Sequence, residues 1–111
     1  GRQAGLELLT EAHTRPTAIM AQSDLLAVGV IRAAEELGLR VPEDVSVAGF
    51  DGVRLDGVAP YELTTMVQPA VDKGRAAGRA VAMLLAGGRA EAASFTCIFR
   101  RGNTTAAPRS L

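Results

Sequence analysis

The sequence predicts an α/β domain built on a parallel sheet with flanking helices. Two apolar runs of strand length, TAIMA at 17–21 and VSVAG at 45–49, enclose a helical pattern over 25–37. Strand, helix and strand within roughly 30 residues form a βαβ unit, which is parallel and right-handed. A further run, TTMVQ at 64–68, leads straight into a second amphipathic helix.

Residues 5–12 carry Leu6, Leu8 and Leu9 among Glu7 and Glu11, a short helical pattern that Thr14-Arg15-Pro16 breaks. TAIMA follows as a buried strand. Ser23 or Asp24 can cap the next helix, and Gly38 sits where a glycine beyond the C-cap belongs. Leu26, Val30, Ala33 and Leu37 recur at helical spacing and form its apolar stripe. Val41-Pro42 turns the chain into VSVAG, a second buried strand. Residues 50–63, with Gly52, Gly57 and Pro60, read as loop, and TTMVQ as a third strand. Pro69 opens a long helix to about residue 86, where Gly87-Gly88 stops it. Its stripe is Val71, Gly74, Gly78, Val81 and Leu85, and the glycines permit close backbone approach. Lys73, Arg75 and Arg79 exclude the membrane reading of that glycine spacing. SFTCIF at 94–99 is a last strand, followed by a polar tail over 100–111.

A chain of 111 residues is one domain at most, or part of one. Hydrophobic residues at 48% and charged residues at 22% exclude disorder and collagen-like structure. Twelve basic and twelve acidic side chains cancel, so charge points to neither nucleic acid nor an anionic membrane. No apolar run approaches the ~20 residues of a membrane span. The chain opens Gly-Arg-Gln without Met, so a piece of a longer protein is expected.

A single cysteine, Cys97, excludes an internal disulfide and a multi-cysteine metal site; one histidine, His13, removes most zinc geometries. No metal and no cofactor are expected. Cys97 inside an apolar run reads as a small core residue, and His13 as a solvated loop residue. Phosphate-loop, dinucleotide and nucleophile-elbow patterns are all missing, so no catalytic residue is assigned.

Position says more. Ligands of open parallel sheets bind outside the carboxyl ends of the strands. Gln22-Ser23-Asp24 follows the first strand, Asp51 follows the second with Phe50 beside it, and Gln68 ends the third. A hydroxyl, a carboxylate, an amide and one ring suit a polyhydroxylated or heterocyclic ligand. The competing reading is that Ser23 and Asp24 only cap a helix and Asp51 only turns the chain; spacing alone does not separate the two.

PTAIMAQSDLLAVGVIRAAEELGLRVPEDVSVAGFDG, residues 16–52, resembles the C-terminal part of the effector-binding domain of LacI/GalR-family transcriptional repressors. LTTMVQP at 63–69 is similar to the family's LTT-x-x-QP segment. Arg101-Gly102-Asn103-Thr104 resembles its Arg-x-Ser-Thr, with Asn103 in place of Ser. The resemblance spans essentially the whole chain. It implies the C-terminal half of a type I periplasmic-binding-protein-like module, a Rossmann-like parallel sheet with flanking helices. About 1–68 and 98–104 would form the C-terminal subdomain, and about 69–97 would cross to the N-terminal one.

The resemblance also implies roles. Asp51 matches the aspartate that takes effector hydroxyls, Phe50 an aromatic or apolar cleft neighbour, and Gln68 a cleft residue at the subdomain crossover. Ser23 stands where many members have Asn. Asp24 is kept foremost as a helix cap. Leu25, Val28 and Arg32 lie on a second face of their helix, and such a helix is deeply buried or has a partner. The resemblance makes it the dimer helix, with Leu55 and Ala59 beside it; the other reading is burial within one subunit. The implied whole is a cytoplasmic homodimeric regulator that binds a small effector, a sugar, and reaches operator DNA through a helix-turn-helix outside this segment. The rival is a secreted solute-binding protein of the same fold. An enzyme has no supporting residue set.

Overall fold

The computed structural model describes residues 1–55, 58 and 60–109. Among them the order is α1 (Arg2–Thr10), β1 (Ala18–Met20), α2 (Asp24–Glu36), β2 (Ser46–Asp51), β3 (Thr64–Val67), α3 (Ala70–Leu85) and β4 (Ile98–Arg100). The sheet order is β1-β2-β3-β4. β1 and β3 both run parallel to β2, with Ile19 beside Val47, and Gly49 beside Thr65. The expected βαβ unit is therefore present. Contacts divide the chain into two compact units, Gly1–Val67 with the chain from Phe99 on, and Gln68–Ile98.

In the first unit, Ser23 is the N-cap of α2 and its Oγ accepts from Leu26 N at 3.2 Å. The helix ends on Gly38 at φ 69°, with Leu39 N donating to Ala34 O at 2.9 Å and Gly38 N to Glu35 O at 3.0 Å. Those two bonds satisfy carbonyls that the helix end would otherwise orphan. Leu9, Ile31, Val45 and Val47 are fully buried at the centre of the core.

The buried face of α2 differs from the expected stripe. Val30 and Ala33 are buried, but Leu26 and Leu37 are 41% and 36% exposed. Ala27, Ile31 and Ala34 take their places. The cause is α1, which starts at Arg2 and ends at Thr10 rather than covering 5–12, and lies close along α2. A Cβ on Gly5 would come within 2.8 Å of Ala33 Cβ, and one on Gly29 within 2.5 Å of Arg2 N. Glycine at both positions lets the backbones meet and decides which face is covered.

β1 is less buried than expected: Ala18 and Met20 are exposed and Ile19 alone packs on the core. Helix packing reaches only the Ile19 face. β4 is shorter than the expected 94–99 and begins at Ile98. Its neighbour β3 offers only Thr64–Val67 for pairing. Cys97 thus precedes the strand and is half-buried rather than a strand-core residue. His13 is exposed in the turn after α1.

The segment expected as a polar tail is stitched into the sheet. Thr104 is fully buried. Its Oγ1 donates to Val47 O at 2.6 Å and accepts from Thr64 N at 3.0 Å, while Val47 N donates to Thr104 O at 2.8 Å. Where β2 and β3 diverge at their amino ends, Thr104 supplies the partners that a strand neighbour would. Ser46 Oγ and Ala106 N continue the seam at 3.0 Å.

In the second unit, α3 follows Pro69, carries Asp72 in its first turn and ends before Gly87 at φ 81°. None of its residues is buried; of its expected stripe, Val71, Val81 and Leu85 are 67%, 55% and 84% exposed.

Candidate functional site

Parallel strands in register bring their carboxyl ends to one edge. Met20 closes β1, Asp51 pairs with Val67 at the ends of β2 and β3, and α2 starts just beyond β1. Ser23, Phe50 and Asp51 thus stand along one edge of the first unit, each half-buried. The Ser23 oxygen accepts the capping bond, which leaves its own O–H to donate. Phe50 lies beside Met66 across the ladder. Gln68 opens the second unit, and its Oε1 accepts from Lys73 Nζ at 2.5 Å.

The backbone at Asp51 is unusual. Its φ is 122°, a region that side chains with a Cβ seldom adopt, and Gly52 follows at 77°. A Cβ on Gly52 would lie 2.7 Å from Val67 Cα, so the turn presses directly onto the end of β3. Strained non-glycine residues of this kind cluster at ligand and active sites.

Asp24 holds that turn from beneath. It is the first residue of α2 and fully buried, and it is not the cap. Its Oδ1 accepts from Thr65 Oγ1 at 2.5 Å and its Oδ2 from Val53 N at 2.9 Å. The carboxyl thereby ties helix, strand and the loop two residues beyond Asp51. Room for it exists because residue 49 is glycine: a Cβ there would meet Asp24 Oδ1 at 2.5 Å. An acidic residue at a helix start reads as a cap in any sequence, and its partners are 29 and 41 residues away.

On the second face of α2, Leu25 is 71% exposed, Val28 half-buried, and Arg32 Nη1 pairs with Glu35 Oε2 at 3.1 Å. Burial, together with the nearby Glu35 carboxylate, pushes the Tyr61 pKa up. Leu55 is half-buried and packs against the core. Ala59 lies outside the described residues.

Sequence reasoning missed a cavity of about 340 Å³ between residues 53–55, 58 and 61–63 on one side and 100–102 on the other, its wall including Arg54, Val58, Tyr61, Leu63, Arg100 and Arg101. Its walls meet only through the returning C-terminal segment. No local pattern signals that return.

In open parallel α/β sheets, ligands bind at this edge, outside the carboxyl ends of the strands. Residues 1–101 match the periplasmic binding protein-like domain family. The HTH-type transcriptional repressor PurR of Yersinia enterocolitica is 48% identical over 85 residues, 77% of this chain and 24% of the repressor. A LacI family transcriptional regulator from Bifidobacterium animalis subsp. lactis superposes with a TM-score of 0.83 at 26% identity, over 97% of this chain and 40% of that one. A LacI family regulator from Arthrobacter sp. FB24, in complex with lactose, gives 0.75 at 31% identity, over 95% and 41%. The chain belongs to the periplasmic binding protein-like domain family and is similar to part of LacI-family regulators. It spans about a quarter of the length of the curated relatives it matches.

Proposed function

We propose that this chain is the ligand-sensing and dimerisation portion of a cytoplasmic LacI/GalR-type regulator, in which a small sugar effector controls operator affinity. The observation that carries the reading is Asp51, held at φ 122° at the carboxyl end of β2. Asp51 takes effector hydroxyls, Phe50 packs on the ring, Ser23 donates a hydrogen bond, and Gln68 is a further ligand contact. The lactose complex of the Arthrobacter regulator supports the sugar class. DNA contact belongs to a helix-turn-helix outside this segment, and the segment itself has no catalytic role. The neutral charge of the chain agrees with that division.

The second face of α2 forms the homodimer contact through Leu25, Val28 and Arg32, with Leu55 and Ala59 beside it. The exposure of Leu25 supports this. Residues 69–97 cross to a companion subdomain, where the stripe of α3 finds cover; the lack of any buried residue in α3 supports that. Effector closes the cleft between subdomains and shifts the population that binds operator.

The test is operator binding by the full-length protein, read by fluorescence anisotropy while lactose and glucose are titrated. One of them changes operator affinity at least tenfold, and Asp51→Asn removes the response while operator binding persists. Val28→Asp converts the dimer to a folded monomer in sedimentation. Operator affinity unmoved by either sugar rejects the effector class, and an intact Val28→Asp dimer rejects the interface.

A further inference from the structure

From the cavity beside β4 we infer a second ligand site, for a small organic anion that joins a carboxylate or phosphate to an apolar body. It is separate from the effector edge, since Ser23, Phe50 and Asp51 do not line it, and it borders the proposed dimer contact at Leu55.

The charge is local. The chain as a whole is neutral, yet Arg54, Arg100 and Arg101 share this one wall, with Glu62 as the single carboxylate among the described residues. Elsewhere Arg2, Arg32, Arg40, Arg75 and Arg109 each pair with an acidic residue. Among the described residues, no side-chain hydrogen bond or ion pair engages the three arginines of the cavity. Guanidinium groups are planar forks suited to carboxylate and phosphate oxygens, and several together favour a doubly held anion.

The body of the ligand is set by the remainder of the wall. Val58 and Leu63 are each 9% exposed and form an apolar floor, with the half-buried Tyr61 beside them. A volume of about 340 Å³ admits a ring-sized group with its anion.

The site is also pre-built. Glu62 N donates to Asn103 Oδ1 at 2.7 Å, and Asn103 N returns a bond to Glu62 O at 2.7 Å. Asn103 Nδ2 donates to Pro60 O at 3.1 Å, and Gly102 N to Thr64 Oγ1 at 3.1 Å. These bonds lock the 60–64 wall to the 100–103 wall, so binding does not have to order them first.

The experiment is calorimetry on the full-length protein with inorganic phosphate, phenyl phosphate and benzoate as probes. Phenyl phosphate or benzoate binds saturably and at least tenfold more tightly than inorganic phosphate; the tighter of the two names the anion. Arg101→Gln weakens that probe at least tenfold, and Arg101→Lys by less, because charge survives and the fork does not. Arg54→Gln, in an exposed loop, repeats the loss should Arg101→Gln fail to fold. Asp51→Asn leaves the probe affinity unchanged. The assignment falls if neither aromatic probe saturates, if inorganic phosphate binds equally well, or if folded Arg54→Gln and Arg101→Gln both bind as the parent does.

Discussion

Thr65 Oγ1 donates to Asp24 Oδ1 at 2.5 Å, joining the first residue of α2 to the middle of β3 inside the core. Both side chains are at most 1% exposed. Thr65→Val keeps the shape and removes the donor. It destabilises by ~1–3 kcal/mol, the range for a hydrogen bond lost from a buried polar group. Asp24→Ala destabilises more, because it leaves both the Thr65 hydroxyl and Val53 N–H without an acceptor. Urea unfolding of the two variants checks the order; equal midpoints contradict it.

Asp51 separates backbone strain from ligand contact. At φ 122° any Cβ is strained, so Asp51→Gly is more stable than Asp51→Ala, by ~1 kcal/mol or more. Both variants lose the carboxylate, which leaves the backbone as their difference. Asp51→Asn keeps the melting temperature nearly unchanged and weakens effector binding by ~1.5–3 kcal/mol, the worth of a charge-assisted hydrogen bond. Thermal melts of the three variants and calorimetry on the full-length protein read these effects independently.

How much of this was legible follows from sequence distance. The βαβ unit, the Ser23 cap and the Gly38 stop depend on residues a few positions apart, and they stand where the sequence placed them. The face of α2 was misread because Leu26 and Leu37 also recur at helical spacing; only α1, packed at Gly5 and Gly29, selects the other side. Thr104 looked like tail because its partner Val47 lies 57 residues away. Asp51 was visible as a carboxylate after a strand, but its positive φ was not, since only the turn pressing on Val67 imposes it.

Asp44 carries an acid-dependent part of the stability. Its Oδ2 accepts from Arg40 N at 2.8 Å and Arg40 Nε at 2.9 Å, while Arg109 lies 3.0 Å from Oδ1. Those bonds, led by the Arg40 side chain, lower its pKa from 3.8 to about 2. Because the folded value lies below the unfolded one, the contribution is complete above pH about 4 and disappears as pH falls toward 2. Glu36 is also lowered, by its hydrogen bond from Arg2, and adds with the same sign. Asp44→Asn therefore flattens the dependence of stability on pH between about 4 and 2 and changes its slope little above pH 5. Denaturant midpoints measured across that range show the difference.

The last prediction concerns α3. Sixteen residues without one buried side chain must hold together on intrinsic helix stability. Isolated helices shorter than ~12–15 residues are marginal even in alanine-rich sequence. Gly74 and Gly78 in the interior each subtract ~1 kcal/mol relative to alanine. Capping at Gly87 and Gly88, where their N–H groups reach Leu84 O and Met83 O at 3.1 and 3.0 Å, offsets little of that. β2 with the residue before it is the opposite case: Val45 and Val47 are fully buried and Val47 N is bonded to Thr104 O. In hydrogen exchange on the 111-residue chain, amides of Val81 to Leu85 therefore exchange orders of magnitude faster than those of Val45 to Ala48. In the full-length protein, where a companion subdomain covers Val71, Val81 and Leu85, α3 becomes protected while β2 changes little. Equal protection of the two segments in a verified monomer of the short chain would mean that α3 has its full partner within these residues. The placement of 69–97 in a second subdomain would then fail.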